Sequence, residues 1–337
     1  MVSNGAHFAG LPIQATDVAA KWDYLYLFLL GLSAFFFVLV VGGMLVFAYK
    51  YRQSASPKSK YIVDNHFLEA FWTIIPTILL MVIFAWGWSV YKDMVQAPTD
   101  AYEIRVIGKQ WLWQFQYDDG RTTVGELYVP VNKPVKLVMT SDDVIHSFFV
   151  PNFRVKQDVV PGMYTSVWFE ANIPGQHQVF CTEYCGTSHS QMLAKIFVLD
   201  EVQWKAFKKG EKITGSPVVG VGGVPMPETA DAKLEAKTMS PLALQGKALA
   251  QSKGCVACHS DDGSMKVGPS YKGVYGSMVE LVDGTKVKAD DNYIRESIEN
   301  PNAKVVKGFS PVMPTFKGLL KEEEMNALIT YIKSLKE

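Results

Sequence analysis

Cysteine is scarce in this chain: there are four among 337 residues, and they fall in two close pairs, Cys181 with Cys185 and Cys255 with Cys258. None is left over for a long-range disulfide framework, so the pairs read as sites rather than staples. Net charge is lacking as well. Lys and Arg total 33 and Asp and Glu total 33, so the chain has no basic excess of the kind a nucleic-acid surface needs. There is no internal repeat. No small-residue cleavage site clearly follows the first apolar stretch, which is longer than a signal-peptide core, so that stretch is expected to stay as an anchor.

Long apolar runs are abundant near the start. Tyr24 to Tyr49 carries no charge, and Ala70 to Tyr91 carries none either. Each exceeds the roughly 20 residues that span a bilayer as a helix, so a two-helix membrane hairpin is predicted. The loop between them holds Lys50, Arg52, Lys58 and Lys60, which marks the cytoplasmic side. The N-terminal tail and everything after Lys92 then lie outside, on the periplasmic or equivalent face of a bacterial inner membrane.

Beyond the hairpin, residues 103–200 alternate apolar and polar residues in short runs such as EIRVIG and TSVWFE, broken by turn residues. That pattern predicts a small all-β sandwich or barrel. A Gly-, Pro- and Val-rich stretch follows and reads as a tether. From Ser240 the texture is helical, opening on Ser-Pro and closing on a segment with acids early and lysines late. The expected organisation is a tail and two membrane helices over 1–96, a β-domain over 97–209, a flexible linker over 210–239 and a helical domain over 240–337.

Outside the cytoplasm thiols are oxidised unless something occupies them. In Cys-Val-Ala-Cys-His, residues 255–259, the C-x-x-C-H spacing offers Cys255 and Cys258 for two thioether bonds to haem c and His259 for the iron. A thioredoxin-like pair would need a βαβ setting that is missing here. The sixth ligand is assigned to Met313, in the Pro-flanked loop FSPVMPTFKG, because Met265 lies only six residues past His259 and is poorly placed to cross the ring. From about Ser240 onward the chain resembles class I cytochromes c.

CTEYCGTSHSQM, residues 181–192, gathers two cysteines, a histidine and a methionine at spacings of four, four and three. Such soft donors suit copper. A Cys2His2 zinc site and a Cys181–Cys185 disulfide are the plainer readings, and Met192 has no use in either. His146, after a predicted strand, is available as a distant fifth donor.

These residues resemble the CuA motif of cytochrome c oxidase subunit II, C-x-E-x-C-x3-H-x2-M, and the likeness extends from the first span to about Asp200 and includes GKQWLWQFQY. The resemblance implies a cupredoxin-like fold and a dinuclear copper centre. Cys181 and Cys185 would bridge the ions, His146 and His189 would be terminal ligands, and Met192 and the Glu183 carbonyl weaker ones. It further implies Trp111 as the electron-entry residue, the Glu183 side chain as a ligand to magnesium or manganese shared with subunit I, and Glu69 at the entrance of a proton path. A fused class I cytochrome c domain resembles the caa3-type subunits. The implied partners are a haem-copper subunit I and further membrane subunits, with an outer donor such as a cytochrome c or a quinol-oxidising complex. The expected role is electron entry into a terminal oxidase that reduces oxygen to water and translocates protons. A copper-containing nitric oxide reductase subunit and a membrane-anchored carrier without a catalytic partner are the alternatives. His7, His66 and His177 lack ligand-like neighbours and are expected to be structural or surface residues.

Overall fold

The computed structural model describes residues 10–54, 58, 61, 63–211 and 239–335. His7, Lys60 and nearly all of the expected linker lie outside the described residues. The chain forms two compact units, Thr16–Gln96 and, separately, Ala97–Glu337 together with Met1–Ala15.

The first unit is a helical hairpin. Helix α1 runs Asp17–Lys50 and α2 His66–Val95. Each begins where a side chain can cap it: Thr16 accepts from the Ala19 N–H at 3.0 Å, and Asn65 from the Leu68 N–H at 3.1 Å. At 34 and 30 residues they are long and apolar enough to cross a membrane. Phe28 against Trp86, with ring centroids 5.4 Å apart, and a Lys21–Asp93 ion pair at 2.6 Å tie one helix to the other.

In the second unit, the alternation read in the sequence builds two five-stranded sheets. One has strands β1 (Tyr102–Lys109), β2 (Leu112–Gln116), β3 (Thr122–Val124), β5 (Pro134–Ser141) and β8 (Thr165–Glu170), in the order β3-β2-β1-β5-β8. The other has β4 (Glu126–Pro130), β6 (His146–Val150), β7 (Val155–Val159), β9 (Gly175–Cys181) and β10 (Leu193–Leu199), in the order β4-β10-β9-β6-β7. The pairs β1–β5 and β4–β10 are parallel, which gives a sandwich of cupredoxin type rather than a simple meander. Every second residue of β5 is buried, and the inner faces meet around Trp113, Phe115, Leu127, Leu137, Phe148 and Ile196. A short helix, α3 (Glu201–Lys208), closes the domain behind an Asp200–Gln203 capping box.

One strand-like partner was not legible in the pattern. The N-terminal tail, grouped with the membrane helices in the sequence reading, sends Ile13 and Ala15 into the sandwich core. The Ala15 N–H donates to the Asn152 carbonyl at 2.9 Å, and the Asn172 N–H donates to the Ala15 carbonyl at 3.0 Å.

The C-terminal part is helical: α4 (Pro241–Ser252), α5 (Cys255–Cys258), α6 (Asp291–Glu299) and α7 (Glu322–Ser334). Helices α4 and α7 cross where Gly246 has no side chain; a Cβ there would lie 2.0 Å from the Ala327 carbonyl oxygen. The domain also carries a hairpin, β11 (Met278–Glu280) with β12 (Lys286–Lys288), that the helical reading left out. Its alternating residues flank Asp283-Gly284, with Gly284 at φ +83°, a turn signal too short to stand out among helices.

His177 on β9 is fully buried, as a structural residue should be. Its Nδ1 accepts from the Asn152 amide and its Nε2–H donates to the Ile173 carbonyl, both at 3.0 Å. Burial depresses its pKa to about 4, against a partial rise from the Ile173 bond. The unfolded chain therefore takes up the proton first. Stability is full above the unfolded value of about 6.5 and is lost as pH falls towards 4, by up to about 3 kcal/mol. His177→Gln, which can keep both hydrogen bonds, is expected to flatten the acid side of a thermal-unfolding profile of the detergent-solubilised protein; an unchanged pH slope would exclude this account.

Candidate functional site

Strand β9 ends at Cys181 and β6 begins at His146. The antiparallel register sets Cys181 opposite Phe148, and since side chains alternate with period two, His146 lies on the same face. His146 Nδ1 is 3.9 Å from Cys181 Sγ. The following loop then folds back, closed by the Cys181 N–H on the Met192 carbonyl at 3.2 Å and the Met192 N–H on the His189 carbonyl at 3.2 Å. That closure lines up the remaining donors. Cys181 Sγ and Cys185 Sγ are 3.8 Å apart, and Cys185 Sγ is 3.4 Å from His189 Nδ1 and 3.8 Å from Met192 Sδ. The Glu183 carbonyl oxygen is 3.4 Å from Cys181 Sγ. All six predicted ligating groups thus come together.

The spacing fits bound metal. Two nitrogen or sulfur atoms each about 2.0–2.3 Å from one tetrahedral ion lie roughly 3.3–3.8 Å apart. Both cysteines are free and buried, so the disulfide reading does not describe this structure. Burial and the neighbour's charge push the Cys185 thiol up, whereas Cys181, despite its own burial, is brought down by hydrogen bonds from His146 and from backbone N–H groups. A cation shared by both sulfurs removes that conflict. The fully buried Met192 thioether adds a soft donor that favours copper over zinc.

A frame around the site was not anticipated from the sequence. The Asp143 carboxylate holds His146 Nε2 at 2.8 Å and accepts the Gln110 backbone N–H at 2.7 Å. Gln110 Nε2 and Trp111 Nε1 both donate to the Cys185 carbonyl, at 2.7 and 3.1 Å. Trp113 is the tryptophan packed in the barrel, edge-on to His146 with centroids 5.9 Å apart. The β1–β2 turn therefore grips both ends of the ligand set. The only local signal was Asp143 three residues before His146, a common turn arrangement.

In the helical domain the C-x-x-C-H segment forms α5 and the residue after it. His259 Nδ1–H donates to the Pro269 carbonyl at 2.7 Å, which fixes the tautomer and leaves Nε2 as the free donor atom. The ring stacks on Tyr271 at 4.8 Å, and Gly268 leaves room for it, since a Cβ there would lie 2.7 Å from His259 Cε1. His259, Cys258 and Met313 line one largely apolar cleft with Val279, Ile294 and Phe309, a setting that suits a macrocycle held by His/Met ligation. Met265 is 90 % exposed and lies outside that cleft. Cys255 is not on the cleft lining; it packs beside Leu328 and Tyr331.

The other predicted residues are scattered. Trp111 is 9 % exposed and bonded to the candidate-ligand loop as described. The Glu183 side chain is exposed, although its carbonyl faces Cys181. Glu69 sits in the first turn of α2, where His66 Nδ1 lies 3.2 Å from its carboxylate. The geometry of the ligand loop gives a direct test. Gly186 has φ +118°, and a Cβ would lie 2.9 Å from the Trp111 ring. Gly186→Ala is expected to cost about 1–3 kcal/mol in backbone strain and to loosen the loop, seen as faster loss of copper on dialysis against a chelator.

Three family models match the chain: the transmembrane domain of cytochrome c oxidase subunit II over residues 7–90, the periplasmic domain of that subunit over 122–199, and cytochrome c over 243–336. A cytochrome c oxidase subunit 2 from Alkalihalophilus pseudofirmus is 30 % identical over 328 residues, covering 94 % of this chain and 88 % of that protein. An alternative cytochrome c oxidase subunit 2 from Bradyrhizobium diazoefficiens is 29 % identical over 235 residues, 60 % of this chain and 85 % of that one. A crystal structure of the periplasmic domain of subunit II of cytochrome oxidase from Bradyrhizobium japonicum is 30 % identical and covers 34 % of this chain and 96 % of that one, with a TM-score of 0.33. With a relative of that name aligned along nearly its whole length, and with the family's membrane, periplasmic and cytochrome c segments in order, the chain belongs to the cytochrome c oxidase subunit II family, in a form that carries a C-terminal cytochrome c domain.

Proposed function

We propose that this chain is the electron-entry subunit of a bacterial haem-copper oxidase. It receives electrons from an outer donor at its C-terminal domain, passes them to the β-domain, and delivers them to a separate subunit I, where oxygen is reduced to water with proton translocation. The observation that carries this reading is the unbroken line of donors from His146 through Cys181 and Cys185 to His189, at 3.9, 3.8 and 3.4 Å, in the same chain as a C-x-x-C-H cleft.

His146, Cys181, Cys185, His189 and Met192, with the Glu183 carbonyl, would hold two copper ions, and Cys255, Cys258, His259 and Met313 would hold haem c. Once bound, these groups supply one-electron exchange, with the paired sulfurs spreading the charge change over both coppers so that little reorganises. The protein's own part is to keep the donors still. The sandwich anchors His146 and Cys181 on adjacent strands, and the bond from His259 to Pro269 keeps Nε2 available. Trp111, donating to the Cys185 carbonyl, is the side chain best placed to couple the two domains. The exposed Glu183 carboxylate is free to meet a magnesium or manganese ion at the subunit I surface, and Glu69 would stand at the cytoplasmic entrance of the proton path, since the loop with Lys50 and Arg52 marks that side. Both termini and the redox domains would then lie on the outer face of the inner membrane.

Met192→Ala and Cys185→Ser, each in the purified complex, are expected to abolish donor-driven oxygen uptake. The two-nucleus copper signal in electron paramagnetic resonance should be altered or lost, while the haem c absorption stays. Undiminished uptake in both variants would refute the reading, and consumption of nitric oxide in place of oxygen would redirect it to a nitric oxide reductase.

A further inference from the structure

The cytochrome c domain does not hang from its tether; it is seated on the sandwich. Lys253, just before the C-x-x-C-H segment, places Nζ 2.9 Å from Glu126 Oε2 on β4, and the two side chains are only 8 % and 18 % exposed. The Tyr128 hydroxyl donates to the same carboxylate oxygen at 3.1 Å. Beside this pair, Gly125, at φ +71°, lies flush against α4: a Cβ there would stand 1.8 Å from the Ser252 carbonyl oxygen. Gly254 likewise faces the Trp111 carbonyl and Leu112, where its Cβ would lie 3.6 Å from each. Ser188, inside the ligand loop, donates to the Ala257 carbonyl. Leu112 and Val124 bury against Phe316. The contacts surround Trp111, whose outer side faces a crevice walled on the far side by Cys258, Lys266 and Phe309.

A buried, hydrogen-bonded ion pair is screened by salt far less than an exposed one, and removing or reversing one partner leaves an uncompensated buried charge. The seat is therefore specific in register and stable to ionic strength, unlike the transient docking of a separate carrier. We infer that the Lys253–Glu126 pair locks the haem-bearing domain onto the sandwich, and that the locked domain stands over the Trp111 face of the candidate copper site, leaving there only the crevice between the two. A protein-sized external donor then reaches that site only by way of this chain's own haem domain. The inference rests on the electron-entry reading above and adds which surface is covered and what covers it.

The test uses the full complex. Lys253→Glu opposes Glu126, and the exchange Lys253→Glu with Glu126→Lys restores a pair of opposite sign; the haem c absorption spectrum checks that each variant is folded. Backbone hydrogen exchange over residues 110–113 and 124–127 is expected to quicken in the single variant and to recover in the double one. Transfer from haem c to copper after flash photoreduction should be insensitive to salt and viscosity in the native chain. In Lys253→Glu it should fall by about tenfold or more, because a fixed contact is replaced by a linker-limited encounter, and again recover in the double variant. Unchanged exchange in Lys253→Glu would overturn the lock. Quickened exchange with unchanged transfer would overturn the part of the inference that makes the seat necessary for transfer, and absence of any haem c-to-copper transfer in the native chain would overturn the electron-entry reading instead.

Discussion

Two thiol groups 3.8 Å apart beneath a buried surface cannot both ionise unless a cation lies between them, because burial and the neighbour's charge act in the same direction. That conflict sets the requirements for the rest of the β-domain. Relaxing it by letting the sulfurs drift apart would abolish the site, so the scaffold has to hold them together by other means. It does so with paired strands at one end, where His146 and Cys181 are fixed by the β6–β9 register, and with a loop closed by its own backbone hydrogen bonds at the other. The Gln110–Trp111 turn then spans the two ends through Asp143 and the Cys185 carbonyl. Metal ligands supported in this way differ little between charge states, and that rigidity is what low reorganisation demands.

The helical domain solves a different problem with similar means. A histidine that is to bind iron through one nitrogen must be prevented from turning the other towards it. The Pro269 carbonyl, the Tyr271 ring and the missing side chain at Gly268 confine His259 from three sides. In both domains the motif names the ligand, while its orientation is decided from outside the motif, by residues nine to twelve positions on for His259, and by Asp143 and the β1–β2 turn for the other set.

That division explains how much could be read from the sequence. Covalent and coordination chemistry writes itself in short spacings, so the donor-rich Cys181–Met192 loop, the C-x-x-C-H segment and the two membrane helices were all legible. The distant His146 was legible only because a strand pattern preceded it. What stayed hidden depends on pairings across the fold. Lys253 and Glu126 are 127 positions apart and look like ordinary surface charges until the two domains meet. Ile13 and Ala15 lie in a tail with no strand period of its own and gain their place from Asn152 and Asn172. Asp143 and Gln110 are common turn residues whose partners, His146 and Cys185, belong to different elements. The small hairpin around Asp283-Gly284 was masked by the helices on either side.

The ligand set is unevenly covered. His146, Cys185 and Met192 are almost completely enclosed and Cys181 nearly so, whereas His189 stands half-exposed at the rim. Elsewhere Gln110 and Trp111 hold the Cys185 carbonyl, and Ser188 donates to the Ala257 carbonyl of the helical domain, so the rest of the loop is backed by protein. Of the five candidate ligating side chains, His189 is thus the one that solvent reaches most readily. A small ion or chelator arriving from solvent therefore meets that imidazole before it meets either thiol.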